Sequence, residues 1–132
     1  MNKLTVILID DDINQKMIIG KYLKLINSDI NFIAFIDANT ALDFLKENTY
    51  LKSSTVIFLD IVMPIVDGWD FLDEYKKFEN RYDVILFSSS IADLDIQKSK
   101  QYSDVKQFVV KPIDKDHLLK VIDVYVDALN YI

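Results

Sequence analysis

The chain has 132 residues, which is the length of one domain and too short for two. Its net charge of −6 argues against direct binding to nucleic acid, because phosphate-rich surfaces are recognised by clustered lysine and arginine. Hydrophobic residues make up 51% of the chain, enough for a substantial core, yet no apolar run approaches the roughly 18 residues that a membrane-spanning helix needs. The absence of cysteine excludes disulfides and thiolate metal sites, and it is compatible with a reducing cytoplasm.

Five short apolar runs alternate with longer segments of helical periodicity, a pattern typical of βαβ units and a parallel sheet. The predicted strands are, in chain order, residues 4–9, 31–36, 55–59, 84–87 and 107–110. The helices predicted to follow them are residues 14–26, 39–47, 69–78, 93–102 and 115–129. Asp114 is predicted to cap the last helix. The first helix is predicted to bury one apolar face, formed by Met17, Ile18, Tyr22, Leu25 and Ile26.

Charged residues follow three of these strands at the point where each strand ends. Asp10, Asp11 and Asp12 follow the first strand, Asp60 follows the third, and Lys111 follows the fifth. Because α/β proteins bind ligands at the carboxyl ends of parallel strands, we expect these side chains to meet at one edge of the sheet. Carboxylates crowded there repel one another unless a hard cation joins them, and Mg²⁺ is the usual one. One aspartate of the first cluster can cap the following helix, which leaves the others as candidate metal ligands.

Asp60 is set apart from an ordinary turn residue by the loop that follows it. The loop reads IVMPIVDG, in which Met63-Pro64 and Asp67-Gly68 restrict the backbone. A carboxylate can attack phosphorus when a cation neutralises both the carboxylate and the incoming phosphoryl group. The product of such an attack is an acyl phosphate, so Asp60 is a candidate nucleophile.

Three residues near the ends of the last two strands complete the candidate site. Ser88 follows the fourth strand directly, where its hydroxyl could donate to a phosphoryl oxygen or simply serve a turn. Lys111 can pair with Asp60 when the site is empty and with the phosphoryl group when it is filled. The Lys111-Pro112 bond is a candidate cis peptide. Phe108 lies in the last strand, where packing in the core is an equally good explanation for an aromatic residue.

As a set, these motifs resemble the receiver domain of two-component response regulators, and the resemblance covers the whole chain. It implies a doubly wound, flavodoxin-like (CheY-like) α/β fold, with a five-stranded parallel sheet in the order 2-1-3-4-5 and helices on both faces. It implies that Asp60 is the phosphoacceptor. It also implies that Mg²⁺ is held by Asp10, Asp11, Asp60 and the backbone carbonyl of Val62.

The resemblance assigns Ser88 and Lys111 to the phosphoryl group, and Ser88 with Phe108 to the conformational switch. Phosphate from a phosphohistidine would then remodel the surface made by helix 4, strand 5 and helix 5. The implied partners are a sensor histidine kinase or a histidine phosphotransfer protein and a downstream target protein, with no direct contact to nucleic acid or membrane. We expect residues 1–132 to be a single cytoplasmic receiver without an output domain, a phosphoacceptor rather than an enzyme.

Two positions that tune the lifetime of the phosphoryl group in the family correspond to Val62 and Ser90. Neither side chain carries a carboxylate or amide that could readily guide an attacking water, which predicts slow loss of phosphate.

Three other functions remain open at this point. A pseudo-receiver would bind partners without turning over phosphate. A haloacid-dehalogenase-type phosphatase also uses an aspartate nucleophile with Mg²⁺, with a second aspartate two residues later as general acid. Asp10 and Asp12 have that spacing. Such an enzyme also needs an acidic pair late in the chain, and the candidate pair, Asp114 with Asp116, does not follow a strand. A flavodoxin is disfavoured because the first loop is acidic where flavin phosphate would bind.

Overall fold

The computed structural model describes residues 3–89 and 92–128, except for the side chain of Ala128. The five strands are β1 (Thr5–Ile9), β2 (Asn31–Phe35), β3 (Thr55–Asp60), β4 (Asp83–Ser88) and β5 (Val105–Val110). The helices are α1 (Ile13–Ile26), α2 (Ala38–Glu47), α3 (Gly68–Tyr75), α4 (Asp93–Ser99) and α5 (Lys115–Ala128). A short 3₁₀ helix, Lys52–Ser54, precedes β3 and was not predicted. All strand pairs are parallel, in the order β2-β1-β3-β4-β5, so the predicted fold is confirmed.

The central strands β1 and β3 are buried along their whole length, because helices cover both faces of the sheet. On one face the sheet packs against α2 and α3, through residues such as Leu42 and Phe71. On the other face it packs against α1 and α5, through residues such as Leu23 and Ile122. The continuous apolar runs of the sequence are therefore what a strand covered on two sides requires, and they leave only the strand ends for polar side chains.

The predicted buried face of α1 is partly wrong. Three of its five members are exposed, to 66%, 42% and 64% respectively: Met17, Ile18 and Leu25. The residues that α1 buries are Ile19 and Leu23, beside Gly20, where a Cβ atom would approach the Phe32 ring to 3.0 Å. Because α1 carries apolar residues on more than one stripe, helical periodicity could not decide between them. The close approach at Gly20 does decide, since it turns that side of the helix toward β2.

Several element boundaries also differ from the prediction. Helix α3 ends at Tyr75, three residues early, and α4 ends at Ser99 rather than at residue 102. After α4 the N–H groups of residues 100–102 each donate to a carbonyl three residues earlier, so the helix tightens into a 3₁₀-type turn there. Strand β5 begins at Val105, two residues early, and the predicted end of the last helix at residue 129 lies outside the described residues. Within the part of the chain that the structure describes, no helix is long and apolar enough to cross a bilayer.

Candidate functional site

The carboxyl ends of β1 and β3 bring three aspartates together. Asp60 is the last residue of β3, and Asp10 directly follows β1, its neighbour in the sheet. Asp10 and Asp60 are buried, whereas Asp11 is exposed. One carboxylate oxygen from each of the three residues lies within 4.8 Å of the others. The cluster that the sequence predicted at this edge is thus formed, and its three acids sit close enough to share one cation.

Lys111 supplies one positive charge to this acidic cluster. Its Nζ lies 2.7 Å from Asp10 Oδ2 and 3.5 Å from Asp60 Oδ2. The sequence led us to expect a pair with Asp60, but the lysine lies nearer to Asp10. Its backbone N–H donates to the Ser88 carbonyl at 2.7 Å, and the Lys111-Pro112 peptide is cis, as predicted. One ammonium therefore stands between two buried carboxylates and can fully compensate only one of them.

Burial and neighbouring charges shift the pKa of Asp60. Burial raises the pKa of its carboxyl, and the negative charge of Asp10 raises it further. Lys111 and the Val62 N–H, which donates to Asp60 Oδ1 at 3.2 Å, lower the pKa, but only in part. The net result is a pKa raised from the ordinary 3.8 to about 6. A cation placed among these oxygens would favour the ionised form that nucleophilic attack requires.

The loop between β3 and α3 is held against Asp60 and Ile61 by close backbone contacts. The Gly68 N–H donates to the Ile61 carbonyl at 2.8 Å. A Cβ atom at Gly68 would lie 2.7 Å from the Asp60 carbonyl oxygen and 2.8 Å from the Ile61 Cα, so only glycine fits. Asp67 and Asp70 form a reciprocal capping box at the start of α3. The Asp-Gly pair noted in the sequence thus closes the loop, and the side chain of Val62 is left 71% exposed.

Ser88 and Phe108 occupy the two strands on the other side of Asp60. Ser88 is the buried last residue of β4, which pairs with β3 in the sheet. Phe108 lies two residues before the end of β5, opposite Leu86, and is partly buried against the core cluster on the α2–α3 face. Packing in the core therefore accounts for part of the burial of Phe108. Ser90, one of the two positions expected to tune phosphoryl lifetime, lies outside the described residues.

Two acids near the site have structural tasks. Asp12 caps α1, because its Oδ1 accepts the Asn14 N–H at 2.9 Å. Asp114 caps α5 in the predicted way, since its Oδ1 accepts the His117 N–H at 2.7 Å. The sequence could not say which aspartate of the first cluster was the cap, and the structure assigns Asp12.

Comparison with known proteins identifies the family. Residues 6–123 match the family model of the response regulator receiver domain. The chain belongs to this family. A two-component response regulator from Cytophaga hutchinsonii has a similar structure, with a TM-score of 0.79 and 26% identity over 98% of this chain and 99% of that one. Another similar structure is the receiver domain of the sensor histidine kinase PA1611 from Pseudomonas aeruginosa PAO1, with a TM-score of 0.79 and 17% identity over 96% of this chain and 99% of that one. That domain was solved with a magnesium ion coordinated in its active-site cleft.

A relative found by sequence is a sensor histidine kinase. The sensor histidine kinase CheAY of Helicobacter pylori is 29% identical over 120 residues, which are 89% of this chain. The matched region is only 14% of the length of that kinase. The receiver domain is a signalling domain, and the predicted function as a response regulator receiver in two-component signal transduction is confirmed by the family match. Neither the phosphatase nor the pseudo-receiver alternative gains support from these relatives.

Proposed function

We propose that this receiver domain accepts a phosphoryl group on Asp60 from the phosphohistidine of a sensor histidine kinase or a histidine phosphotransfer protein. The observation that carries the proposal is the cluster of Asp10, Asp11 and Asp60 oxygens within 4.8 Å of one another, with Lys111 Nζ within 3.5 Å of both buried acids. The single sheet and five helices of the described residues support the view that residues 1–132 are one receiver domain.

The donor set at this edge fits a hard divalent cation. Three carboxylates face one ammonium, so negative charge remains uncompensated, and oxygen ligands of this kind are those that Mg²⁺ prefers. Asp10, Asp11 and Asp60 would hold the ion, together with the backbone carbonyl of Val62. When bound, Mg²⁺ neutralises charge on both the nucleophile and the incoming phosphoryl group.

The chain's own residues account for the rest of the transfer. An ionised Asp60 oxygen attacks phosphorus, the bond from phosphorus to the donor imidazole nitrogen breaks, and the imidazole leaves with the electron pair. The Lys111 ammonium, within 3.5 Å of Asp60 Oδ2, pairs with an oxygen of the transferred group. The Ser88 hydroxyl, at the end of the neighbouring strand, donates to another. The domain is thus a phosphoacceptor whose catalysis is confined to its own phosphorylation and dephosphorylation.

The decisive experiment labels the domain with a small donor. Acetyl phosphate with Mg²⁺ should add one phosphoryl group, seen as a mobility shift on a Phos-tag gel and lost in hydroxylamine, which cleaves acyl phosphates. Asp60→Asn should abolish the shift, whereas Asp12→Asn, a matched change at a helix cap, should retain it. If Asp60→Asn is labelled as well as the wild type, the assignment of the phosphoacceptor is wrong.

We further propose that Ser88 and Phe108 couple Asp60 to the surface of α4, β5 and α5. Ser88 is the last residue of β4, and Phe108 lies in β5, the strand that pairs with β4. A displacement of Ser88 would therefore act on β5 and on Phe108 within it. Beryllofluoride, which mimics the phosphoryl group, should shift amide resonances of residues 92–102 and of Phe108. Ser88→Ala should reduce those shifts and leave Mg²⁺ binding intact. An unchanged spectrum in α4 would favour the pseudo-receiver alternative.

The phosphatase alternative fits the geometry less well. Its general acid would have to be Asp12, which is engaged as the cap of α1. Its late acidic pair would have to include Asp114, which caps α5. With both candidates committed to helix ends, we infer that the chemistry of the site centres on Asp60.

A further inference from the structure

The loop that follows Asp60 contains a strained residue. The Val66 N–H donates to the Pro64 carbonyl at 2.8 Å, and the residue between them, Ile65, has a φ of +69°. A hydrogen bond between residues two apart around a centre of positive φ is the rarer, strained form of γ-turn. Among the described residues other than glycine, Ile65 alone has a positive φ. For a β-branched residue this conformation is a genuine outlier, because the Cβ substituents crowd the backbone.

Packing of the Ile65 side chain does not offset this strain. Ile65 is 99% exposed, the highest value among the large apolar residues of the described chain. Asparagine or glycine would adopt the same backbone conformation at lower cost. Strained residues of this kind cluster at active sites, ligand clamps and switch regions, so the exposed Ile65 side chain is a candidate for contact with a partner.

The surroundings of Ile65 form an apolar lip beside Asp60, which we define as Val62, Pro64 and Ile65. Val62 is 71% exposed, two residues from the phosphoacceptor. Beyond the lip lies a shallow groove of about 210 Å³, lined by residues 64–66 on one side and by residues 37–39, the N-cap and first residues of α2, on the other. A partner that reaches Asp60 at this edge of the sheet therefore also meets exposed apolar surface.

The proposed function determines which partner must meet it. Asp60 is only 6% exposed, so a protein donor has to bring its phosphohistidine down to the carboxyl edge of the sheet, and its surface around that histidine then covers the lip. A small donor such as acetyl phosphate has no such surface. We propose that Ile65 is a specificity-determining contact for the protein phosphodonor, which buries the isoleucine in an apolar patch beside its phosphohistidine. This inference rests on the proposed phosphotransfer to Asp60.

Three variants separate the side chain from the backbone strain. Ile65→Asn relieves the strain and removes the apolar contact, so it should raise the Tm, by about 3 °C or more. It should also slow transfer from a protein donor about tenfold or more, as loss of a buried contact does. Ile65→Met keeps an apolar side chain without the β-branch and should stay within about threefold of the wild-type transfer rate. Val124→Gln is the control, because it removes an apolar side chain that is 63% exposed on α5. It should change neither the rate of transfer from the protein donor nor the rate of labelling by acetyl phosphate.

The assay compares a protein donor with a small one. The histidine kinases of the organism that encodes the chain are autophosphorylated with radiolabelled ATP, and the kinase that transfers fastest to the wild type serves as donor. In parallel, acetyl phosphate labels each variant in Mg²⁺. Slow transfer to Ile65→Asn from the kinase, with wild-type labelling by acetyl phosphate, supports the inference.

Other outcomes overturn it. Transfer from the kinase to Ile65→Asn at the wild-type rate would show that the donor does not use this side chain. Equal losses with both donors would mean that the variant disturbs Asp60 itself, and an equal loss in Val124→Gln would remove the link to the lip. If acetyl phosphate labels the wild type but no kinase does, there is no protein donor to contact Ile65, and the inference is wrong. Failure of the wild type with acetyl phosphate would instead refute the proposed function.

Discussion

Replacement of Asp60 by asparagine should stabilise the folded protein in the absence of Mg²⁺, and most strongly at high pH. Burial and the charge of Asp10 raise the pKa of the Asp60 carboxyl to about 6, so its ionised form is disfavoured in the folded state. Lys111 is held by Asp10 at 2.7 Å and keeps a carboxylate partner when Asp60 loses its charge. An asparagine oxygen can still accept the N–H of Val62 that Asp60 Oδ1 accepts now. The substitution therefore removes the cost of the buried charge and keeps the hydrogen bond from Val62, while an amide NH2 replaces the Oδ2 that faces Lys111 Nζ at 3.5 Å.

The size and sign of the effect follow from proton linkage. With a carboxyl pKa of about 6 in the folded state against 3.8 in the unfolded state, the folded protein binds more protons between these values, so stability falls as pH rises through this window. Above about pH 7 the full cost of the charge is present, at most about 3 kcal/mol at roughly 1.36 kcal/mol per pH unit. At about pH 5 the remaining cost is roughly half of that. The side chain of Asp60 is 9% exposed, so solvent screens little of this cost.

Urea denaturation in EDTA at about pH 5, 6.5 and 8 would measure the difference in the free energy of unfolding between the two proteins. We expect Asp60→Asn to gain about 2–3 kcal/mol at the highest pH and about 1–1.5 kcal/mol less than that at the lowest. Asp43→Asn, an exposed acid on α2, controls for the change in net charge and should stay within about 0.5 kcal/mol of the wild type throughout. A destabilised Asp60→Asn at high pH, or a gain that does not vary with pH, would refute the electrostatic reasoning.

Three further substitutions test other parts of the site. Asp11→Ala should remove most Mg²⁺ binding in calorimetry, whereas Asp12→Ala should largely keep it and instead lose about 1 kcal/mol of stability, because Asp12 caps α1; equal losses of binding would contradict this division. Gly68→Ala should destabilise the fold by about 2 kcal/mol or more in urea, because its Cβ would lie 2.7 Å from the Asp60 carbonyl oxygen, and a neutral result would show that the loop yields freely. Val62→Asn should speed the decay of purified phosphoprotein in Mg²⁺, because an amide at this exposed position can orient water, and an unchanged decay would show that this position does not set the lifetime.

Much of the sheet could be predicted from the sequence because β1, β3 and β4 are short apolar runs that end in, or directly before, a polar residue. Asp10, Asp60 and Ser88 mark the ends of β1, β3 and β4 to within one residue. Parallel topology then places these residues at one edge without further information. The same reasoning could not choose the buried face of α1, because that helix is apolar on more than one side and the choice depends on the contact of Gly20 with Phe32.

Distances within the site were beyond the reach of sequence patterns. That Lys111 lies closer to Asp10 than to Asp60 depends on differences below 1 Å, 2.7 Å against 3.5 Å. The left-handed conformation of Ile65 could not be predicted either, because the sequence offers a β-branched residue where glycine or asparagine is expected. The sequence showed which groups meet at this edge, and the structure shows how their charges and strain are distributed.

The hydrogen bond between Lys111 and Ser88 joins the two residues that we assign to the phosphoryl group. The Lys111 N–H donates to the Ser88 carbonyl at 2.7 Å, so a backbone hydrogen bond joins the carboxyl ends of β4 and β5. Phosphorylation would add negative charge to Asp60. The Lys111 ammonium, which lies nearest to Asp10 in this structure, would then be attracted towards the phosphoryl oxygens. A shift of Lys111 would act on Ser88 through this backbone bond, and a shift of Ser88 would act on Lys111 in the same way. We therefore expect the two residues to respond together, so that Lys111→Arg, which keeps the charge but replaces the compact ammonium with a larger planar guanidinium, should reduce the beryllofluoride-induced shifts in α4 much as Ser88→Ala does. Full-sized shifts in Lys111→Arg would mean that Ser88 responds to the phosphoryl group without the lysine.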